Sequence, residues 1–500
     1  MREETHYHVI IVGAGFAGLG MAIRLSQCGM TDFVVLERAA DVGGTWRDNR
    51  YPGCACDVPS QLYSFSFELN PSWSHSFSGQ REIWDYLRHC TERYGLTPRI
   101  RFHHEVRAAE WDHARHRWRV NTSRGELSAA VLITGTGGLS EPKTSDLPGL
   151  GSFGGKAFHS ARWDLDYDLR GRRVAVVGTG ASAVQFIPRI APAVSSLTVF
   201  QRTPAWIMPR GERRIPGFEQ RLYRAFPGAQ RLVRAGIYCA RESLVPGFVM
   251  SPRLLRAAES IARAHLRRQV ADAGLRARLT PGYALGCKRI LISSDYFPAL
   301  TRPNVELVAS GATRAGEHWV QAADGTRREA DTIIFGTGFQ VTTAPMATWI
   351  RGRDGRSLAE AWSGGAQAHR GTTVAGFPNL FLLVGPNTGL GHSSLIYMIE
   401  SQIAYVLDAL RYLRRSGAAA AEVRPEAQLA YNQIVRRRMR RTVWTTGGCA
   451  SWYLDANGHN TTLWPGFTWR FRQATRAFRP AEYLIYPGGT RARDTQPVAA

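Results

Sequence analysis

Lysine is almost missing from this chain of 500 residues: only Lys143, Lys156 and Lys288 occur, so arginine carries nearly all of a formal charge of +23. A basic balance of that size attracts phosphorylated ligands, anionic lipid and nucleic acid alike, and cannot choose among them. Cysteine is sparse and scattered. Cys28, Cys54, Cys56, Cys90, Cys239, Cys287 and Cys449 form neither a paired zinc spacing nor a CxxC redox pair, a pattern expected of a reducing compartment, with no metal. No run approaches the roughly 18 apolar residues that a membrane span needs. The opening MREETHYHVIIVGAG has acidic residues and a glycine-punctuated strand where a signal peptide has a basic start and a small-residue cleavage site. The expectation is a soluble, cytoplasmic, globular protein, long enough for two or three packed domains without disulfides or metals.

What is present is one architecture written twice. Residues 8–18, HVIIVGAGFAG, form an apolar run into GxGxxG with Gly13, Gly15 and Gly18, then a helical pattern, then a second apolar run ending at Glu37. Such glycines let the backbone turn tightly and approach a pyrophosphate. The helix N-terminus supplies positive partial charge, and the terminal carboxylate accepts hydrogen bonds from a ribose. The unit recurs at RRVAVVGTGASAVQFI, with Gly178, Thr179, Gly180 and Ala183, and its second strand runs into Arg202 and Thr203. Glu37 lies 24 residues after Gly13, and Arg202 lies 24 residues after Gly178. An arginine at that offset pairs with an extra ribose phosphate. The first unit therefore reads as a site for FAD and the second as a site for NADPH.

Two more glycine-stopped apolar runs, VLITGTGG at 131–138 and DTIIFGTGF at 331–339, bracket the second unit and suit strands ending against a cofactor. The predicted fold is α/β with two Rossmann-like domains, one inserted in the other. An FAD domain over 1–142 resumes at 335–500 with a C-terminal active-site loop region, and an NADPH domain covers 143–334. A helical insertion is expected at about 211–280. There Ser251-Pro252 is expected to open a helix with Leu254, Ala258, Ile261, Ala262, Leu266 and Val270 on one face and arginines on the rest. Two readings fit: a helix packed on the body with a solvated arginine face, which is preferred, and a basic amphipathic helix on a membrane surface.

Between the two units stands FGGKAFHSARWD, in which Phe153, Gly155, His159, Trp163 and Asp164 fit FxGxxxHxxxW followed by Pro or Asp. This resembles the fingerprint of class B flavoprotein monooxygenases, specifically the type I Baeyer-Villiger monooxygenases. GGTWRDNRYPGCACDVPS at 43–60, GCKR at 286–289, FPNLFLLVGP at 377–386 and ASWYLDANG at 450–458 agree in order along nearly the whole chain. The related N- and S-oxygenating flavin monooxygenases end the fingerprint in Tyr, where this chain has Trp163. Asp164 replaces the proline many members carry and leaves the subgroup open. The segment reads as hinge packing rather than chemistry.

The resemblance implies that reduced flavin captures O2 at carbon 4a and that the resulting peroxide attacks a ketone carbonyl, giving an ester or lactone. Arg289 matches the active-site arginine, Asp57 the carboxylate that orients it, and Lys288 a contact to the 2′-phosphate of NADPH. Thr45 and Trp46 resemble flavin contacts, and Trp452 a tryptophan on a loop that folds over NADP. The implied partners are a ketone and O2; oligomeric state is unreadable. Rival readings are a heteroatom oxygenase, an FAD/NADPH disulfide reductase, which requires a CxxxxC pair that Cys54 and Cys56 do not form, and a basic adaptor for membrane or nucleic acid, against which two intact dinucleotide fingerprints stand.

Overall fold

From Val9 onward, strand β1 (Thr5–Val12) is buried on both faces, as expected of a central parallel strand that reads as a continuous apolar run. Its side chains alternate between two cores. Val9 and Ile11 enter the one that also holds α1 (Phe16–Gln27), whereas Ile10 and Val12 enter the one on the opposite side of the sheet. β1 pairs in parallel with β2 (Phe33–Leu36) and with β6 (Gly125–Thr134). The sheet continues through β3 (Ile100–Arg101) on one edge and β5 (Arg117–Thr122) and β4 (Val106–Asp112) on the other, where the pairing turns antiparallel. The later segments Ile350–Arg351 and Leu380–Leu382 return to this same sheet. The computed structural model describes residues 5–143, 146–342 and 345–488.

The second sheet is wholly parallel, in the order β10 (Val305–Val308), β9 (Ser196–Phe200), β8 (Arg173–Val177), β11 (Thr332–Phe335) and β7 (Lys156–His159), with α2 (Ala181–Ile190) following β8. The expected α/β fold of two dinucleotide-binding units is thus present, the second unit's strands lying within the chain of the first. Lys143 N–H donates to the Gly338 carbonyl at 2.8 Å and Pro142 lies opposite Phe339, so the outgoing and returning segments run side by side.

The two glycine loops are packed in the same way. Gly13 has φ +99°, and a Cβ there would stand 2.9 Å from the Gly135 carbonyl oxygen; Gly178 has φ +107°, and its Cβ would stand 2.6 Å from that of Gly336. The glycines of the two GTG runs therefore seat the turns of the two fingerprints, a role additional to the cofactor-facing one read from sequence.

The insertion is helical, with α3 (Gly217–Ala225), α4 (Pro227–Glu242) and α5 (Arg256–Gln269), but the predicted helix from Ser251 differs. Pro252–Leu255 is a 3-10 turn and Ser251 makes no side-chain cap. Leu255, Ala262 and Leu266 form one inward stripe together with Val270, while Leu254 and Ile261, on the neighbouring stripe, are 62% and 51% exposed. One expected apolar face is split in two.

A Cβ on Gly18 would lie 1.8 Å from the Gly13 carbonyl oxygen, whereas one on Gly151 meets nothing within 4 Å. Gly18→Ala is expected to cost about 1–3 kcal/mol through overpacking and Gly151→Ala close to nothing, read as the difference in thermal unfolding midpoint between the two variants.

Candidate active site

Arg289 and Asp57 lie 232 positions apart and meet at a bidentate pair. Arg289 Nε and NH2 each donate to one Asp57 oxygen at 2.7 Å, and NH1 donates to the Leu390 carbonyl at 3.3 Å. Asp57 sits in a loop anchored by Cys56 N–H to the Ser78 carbonyl. Arg289 precedes the short strand Leu291–Ile292, which pairs with Ile207–Met208 of the second unit. Side-chain exposures of 29% for Arg289 and 24% for Asp57 leave the pair accessible at the junction of the two units. Burial pushes the Asp57 carboxyl up, but the Arg289 charge and hydrogen bonds outweigh it and hold it below the usual carboxylate range. Asp57 in turn holds the guanidinium above its ordinary value. A guanidinium has five N–H donors in a rigid fork; three are spoken for here, leaving two for a reacting molecule.

Two neighbours of this pair were not singled out in the sequence. Tyr453, fully buried, interacts electrostatically with Arg289, and burial pushes its phenol up to about 12; its place beside Trp452 in ASWYLDANG is a signal that could have found it. The Leu390 carbonyl belongs to the backbone and leaves no signature in residue type. Trp452 itself is 45% exposed, with its ring 4.4 Å from that of Tyr453.

The cysteines need a correction. Cys287, directly before Lys288 and Arg289, forms a disulfide with Cys449, 162 positions on. Spacing could not reveal a pair brought together only when the 445–455 loop folds onto the GCKR turn. Cys54 and Cys56 remain free thiols, and burial pushes Cys54 up to about 12 and Cys56 higher still. That is the opposite of an activated redox thiolate.

In the second unit, Arg202 and Lys288 come together although far apart in sequence. Burial, then the positive charge of Arg202, lowers Lys288 below the ordinary lysine value, and Lys288 Nζ lies 5.1 Å from the centre of the Tyr283 ring. Two cations within electrostatic reach of each other, with no acid acting on Lys288, suit a doubly charged anion. Thr179 Oγ1 reaches the Thr203 carbonyl at 3.4 Å, which places both threonines at the mouth of the loop holding Gly178 and Gly180. In the first unit, Glu37 is buried at the end of β2. Its oxygens accept the N–H groups of Ala14 and Ala39 at 2.9 Å and pair with Arg47 at 2.9 Å, so the carboxylate also braces the turn. Gly44 stands against Gly15 and delivers Thr45 and Trp46 beside it; Trp46 Nε1 donates to the Tyr63 hydroxyl at 3.1 Å.

The fingerprint segment packs as a joint. A Cβ on Gly155 would stand 2.1 Å from the Asp331 carbonyl oxygen, and Phe153 lies against the apolar core on that side of the second sheet. His159 Nδ1 accepts Ala161 N–H at 3.0 Å while its ring lies 5.9 Å from Phe339, on the returning segment. Burial lowers the His159 imidazole to about 4, so it is neutral at pH 7. Trp163 sits 5.3 Å from both Phe158 and Phe186, and Asp164 pairs with Lys156 at 2.9 Å.

Two dinucleotide folds with a held arginine at their junction define an oxidoreductase of the two-dinucleotide type, and a pyridine nucleotide-disulphide oxidoreductase family profile matches residues 10–222. A Baeyer-Villiger monooxygenase of Streptomyces coelicolor is 55% identical over 97% of this chain and 94% of its own. One of Pseudomonas aeruginosa is 49% identical over 96% and 92%. The structure of an oxidized steroid monooxygenase bound to NADP superposes with a TM-score of 0.84 at 31% identity, covering 97% of this chain and all of that one. The chain belongs to the Baeyer-Villiger monooxygenase family.

Asp57→Asn is expected to leave Arg289 charged but loosely held, lowering turnover on the order of 10²-fold while NADPH binding stays unchanged. A carboxyl held low stabilises the fold above the unfolded aspartate pKa, and that contribution fades as pH falls through the lowered folded value. Thermal unfolding measured below about pH 4 should therefore show a shallower acid decline in Asp57→Asn than in the parent.

Proposed function

We propose that the protein is an FAD-dependent, NADPH-consuming monooxygenase that inserts one atom of O2 beside a ketone carbonyl to give an ester or lactone, acting in the cytoplasm. The observation that carries this reading is the Arg289–Asp57 pair, a fixed cation at the junction of the two dinucleotide units. The residues fit both groups. The turns around Gly13, Gly15 and Gly18, backed by Glu37, Thr45 and Trp46, make a cradle for FAD, in a turn packed too closely at Gly13 and Gly18 for a Cβ. Gly178, Thr179, Gly180 and Thr203, with Arg202 and Lys288 at the end where a 2′-phosphate is recognised, form the corresponding cradle for NADPH.

Bound FAD, once reduced by NADPH, supplies the O2 chemistry. The chain's own residues position and polarise. As oxygen is delivered to the carbonyl carbon, negative charge gathers on the former carbonyl oxygen, and the two free N–H groups of Arg289 are placed to stabilise it. Arginine cannot surrender its proton at this pH, so the charge stays in place through the cycle, and Asp57 prevents the guanidinium from rotating away. Tyr453, on the loop tethered by the Cys287–Cys449 link, lines this flank. Phe153, Gly155, His159, Trp163 and Asp164 set the joint across which the two cofactor units face each other.

NADPH oxidation by the purified flavoprotein against a panel of linear, cyclic and aromatic ketones should yield esters or lactones by mass spectrometry. Oxidation of a thioether with no ester from any ketone would transfer the assignment to the heteroatom oxygenases. Arg202→Ala and Lys288→Ala should each raise the KM for NADPH by about 10–100-fold, the loss of a charge-assisted contact, with the KM for NADH unmoved.

A further inference from the structure

Helix α4 is built inside out. Its inward ridge, spaced by four, is polar. Gln230 donates to the Gln61 side chain and the Asn70 carbonyl, Arg234 to the carbonyls of Gln61, Leu62 and Ser64, Tyr238 bonds Thr468, and Glu242 accepts from Thr468. Its exposed positions from 231 to 240 carry one charge, Arg231; the others are Leu232, Val233, Ala235, Gly236, Cys239 and Ala240. A surface helix of a water-soluble protein has the reverse pattern. The adjoining α3 adds to the same surface: Phe218 and Phe226 are 67% and 65% exposed, and Leu232 of α4 reaches 75%. Of fourteen exposed large apolar side chains among the described residues, eight fall between 218 and 261. This contiguous stretch of chain is where the protein concentrates apolar surface in water.

The charge around it is of one sign. Residues 211–280 hold fourteen arginines against five acidic residues. Glu219, the acid of α3, is taken up by Arg213 and Tyr223, and Glu242 is buried. Arg221 and Arg231 stay exposed with no acidic partner among the described residues. A second copy seated on this face sets arginine against arginine, with no fully exposed acid on either helix to answer it. An interface that is apolar at its centre, basic at its edge and free of acid complements the headgroup region of an anionic bilayer, where phenylalanine and leucine enter the acyl boundary and arginine meets lipid phosphate.

We propose that the outward face of α3 and α4 docks on anionic phospholipid membranes. α4 then runs from the lipid surface to Glu242, which holds His392 at 3.2 Å two residues beyond Leu390, the residue whose carbonyl meets Arg289. Docking thus sets the Arg289 junction above the bilayer, and no helix among the described residues is long and apolar enough to cross it.

Flotation of the FAD-loaded full chain with vesicles tests this, and because it involves no turnover it stands apart from the catalytic reading. Vesicles of phosphatidylcholine with phosphatidylglycerol should carry the protein upward at low ionic strength, and pure phosphatidylcholine vesicles should not. Phe226→Ser combined with Leu232→Ser, and separately Arg221→Gln combined with Arg231→Gln, should each weaken binding by about tenfold or more. Both pairs should keep their flavin content and their NADPH oxidation rate, since all four side chains face solvent. No flotation with the anionic vesicles, undiminished flotation of the serine variant, or a dimer in light scattering that the serine variant converts to monomer overturns the proposal.

Discussion

Two hydrogen bonds of 2.7 Å between Arg289 and Asp57 fix where a positive charge of the junction stands. A guanidinium alone on a flexible stem would average over many positions; gripped along one edge by a carboxylate, it presents its remaining donors in a single direction. The arrangement costs desolvation, visible in the upward pull of burial on Asp57, and the mutual attraction of the pair outweighs it. Much of the surrounding structure serves that geometry. The Ser78 carbonyl anchors the loop of Asp57, the Leu390 carbonyl takes a third N–H, and the Cys287–Cys449 link binds the residue before Lys288 to the loop that carries Tyr453 and Trp452.

The two dinucleotide units are made by the same physical device. In each, a continuous apolar run forming a buried parallel strand gives way to a glycine turn, and a second glycine run lies so close behind it that no Cβ fits between. Where they differ is at the end of the second strand. Glu37 there is buried and braced by backbone N–H groups and Arg47, whereas Arg202 is exposed and faces Lys288. One end carries a buried carboxylate and the other an exposed cation, a difference of charge rather than of fold.

The parallel sheets, the two glycine turns and the close packing of the 153–164 segment were legible in the sequence because each has a local signature: a continuous apolar run, a glycine where φ is positive, an aromatic beside a crossing. Arg289 and Asp57 were legible only through the motifs around them, and Arg202 with Lys288 only through an offset and a motif read separately. The rest depends on the folded chain. The disulfide joins cysteines 162 positions apart, and the Leu390 carbonyl has no residue preference. The face of the helix after Ser251 was misassigned because the buried stripe through Leu255, Ala262 and Leu266 is narrower than the apolar one, which leaves Leu254 and Ile261 in water. The inverted polarity of α4 was likewise invisible, since periodicity says which side chains share a face but not which face meets water.

On this reading, oxygen transfer to carbon needs the charge of Arg289, while consumption of NADPH does not. Labelled dioxygen supplied to Arg289→Ala with a ketone that the parent converts tests it most directly. The account predicts that NADPH is still oxidised, that the label leaves as hydrogen peroxide, and that no labelled ester forms. Labelled ester at the parent's yield would contradict it.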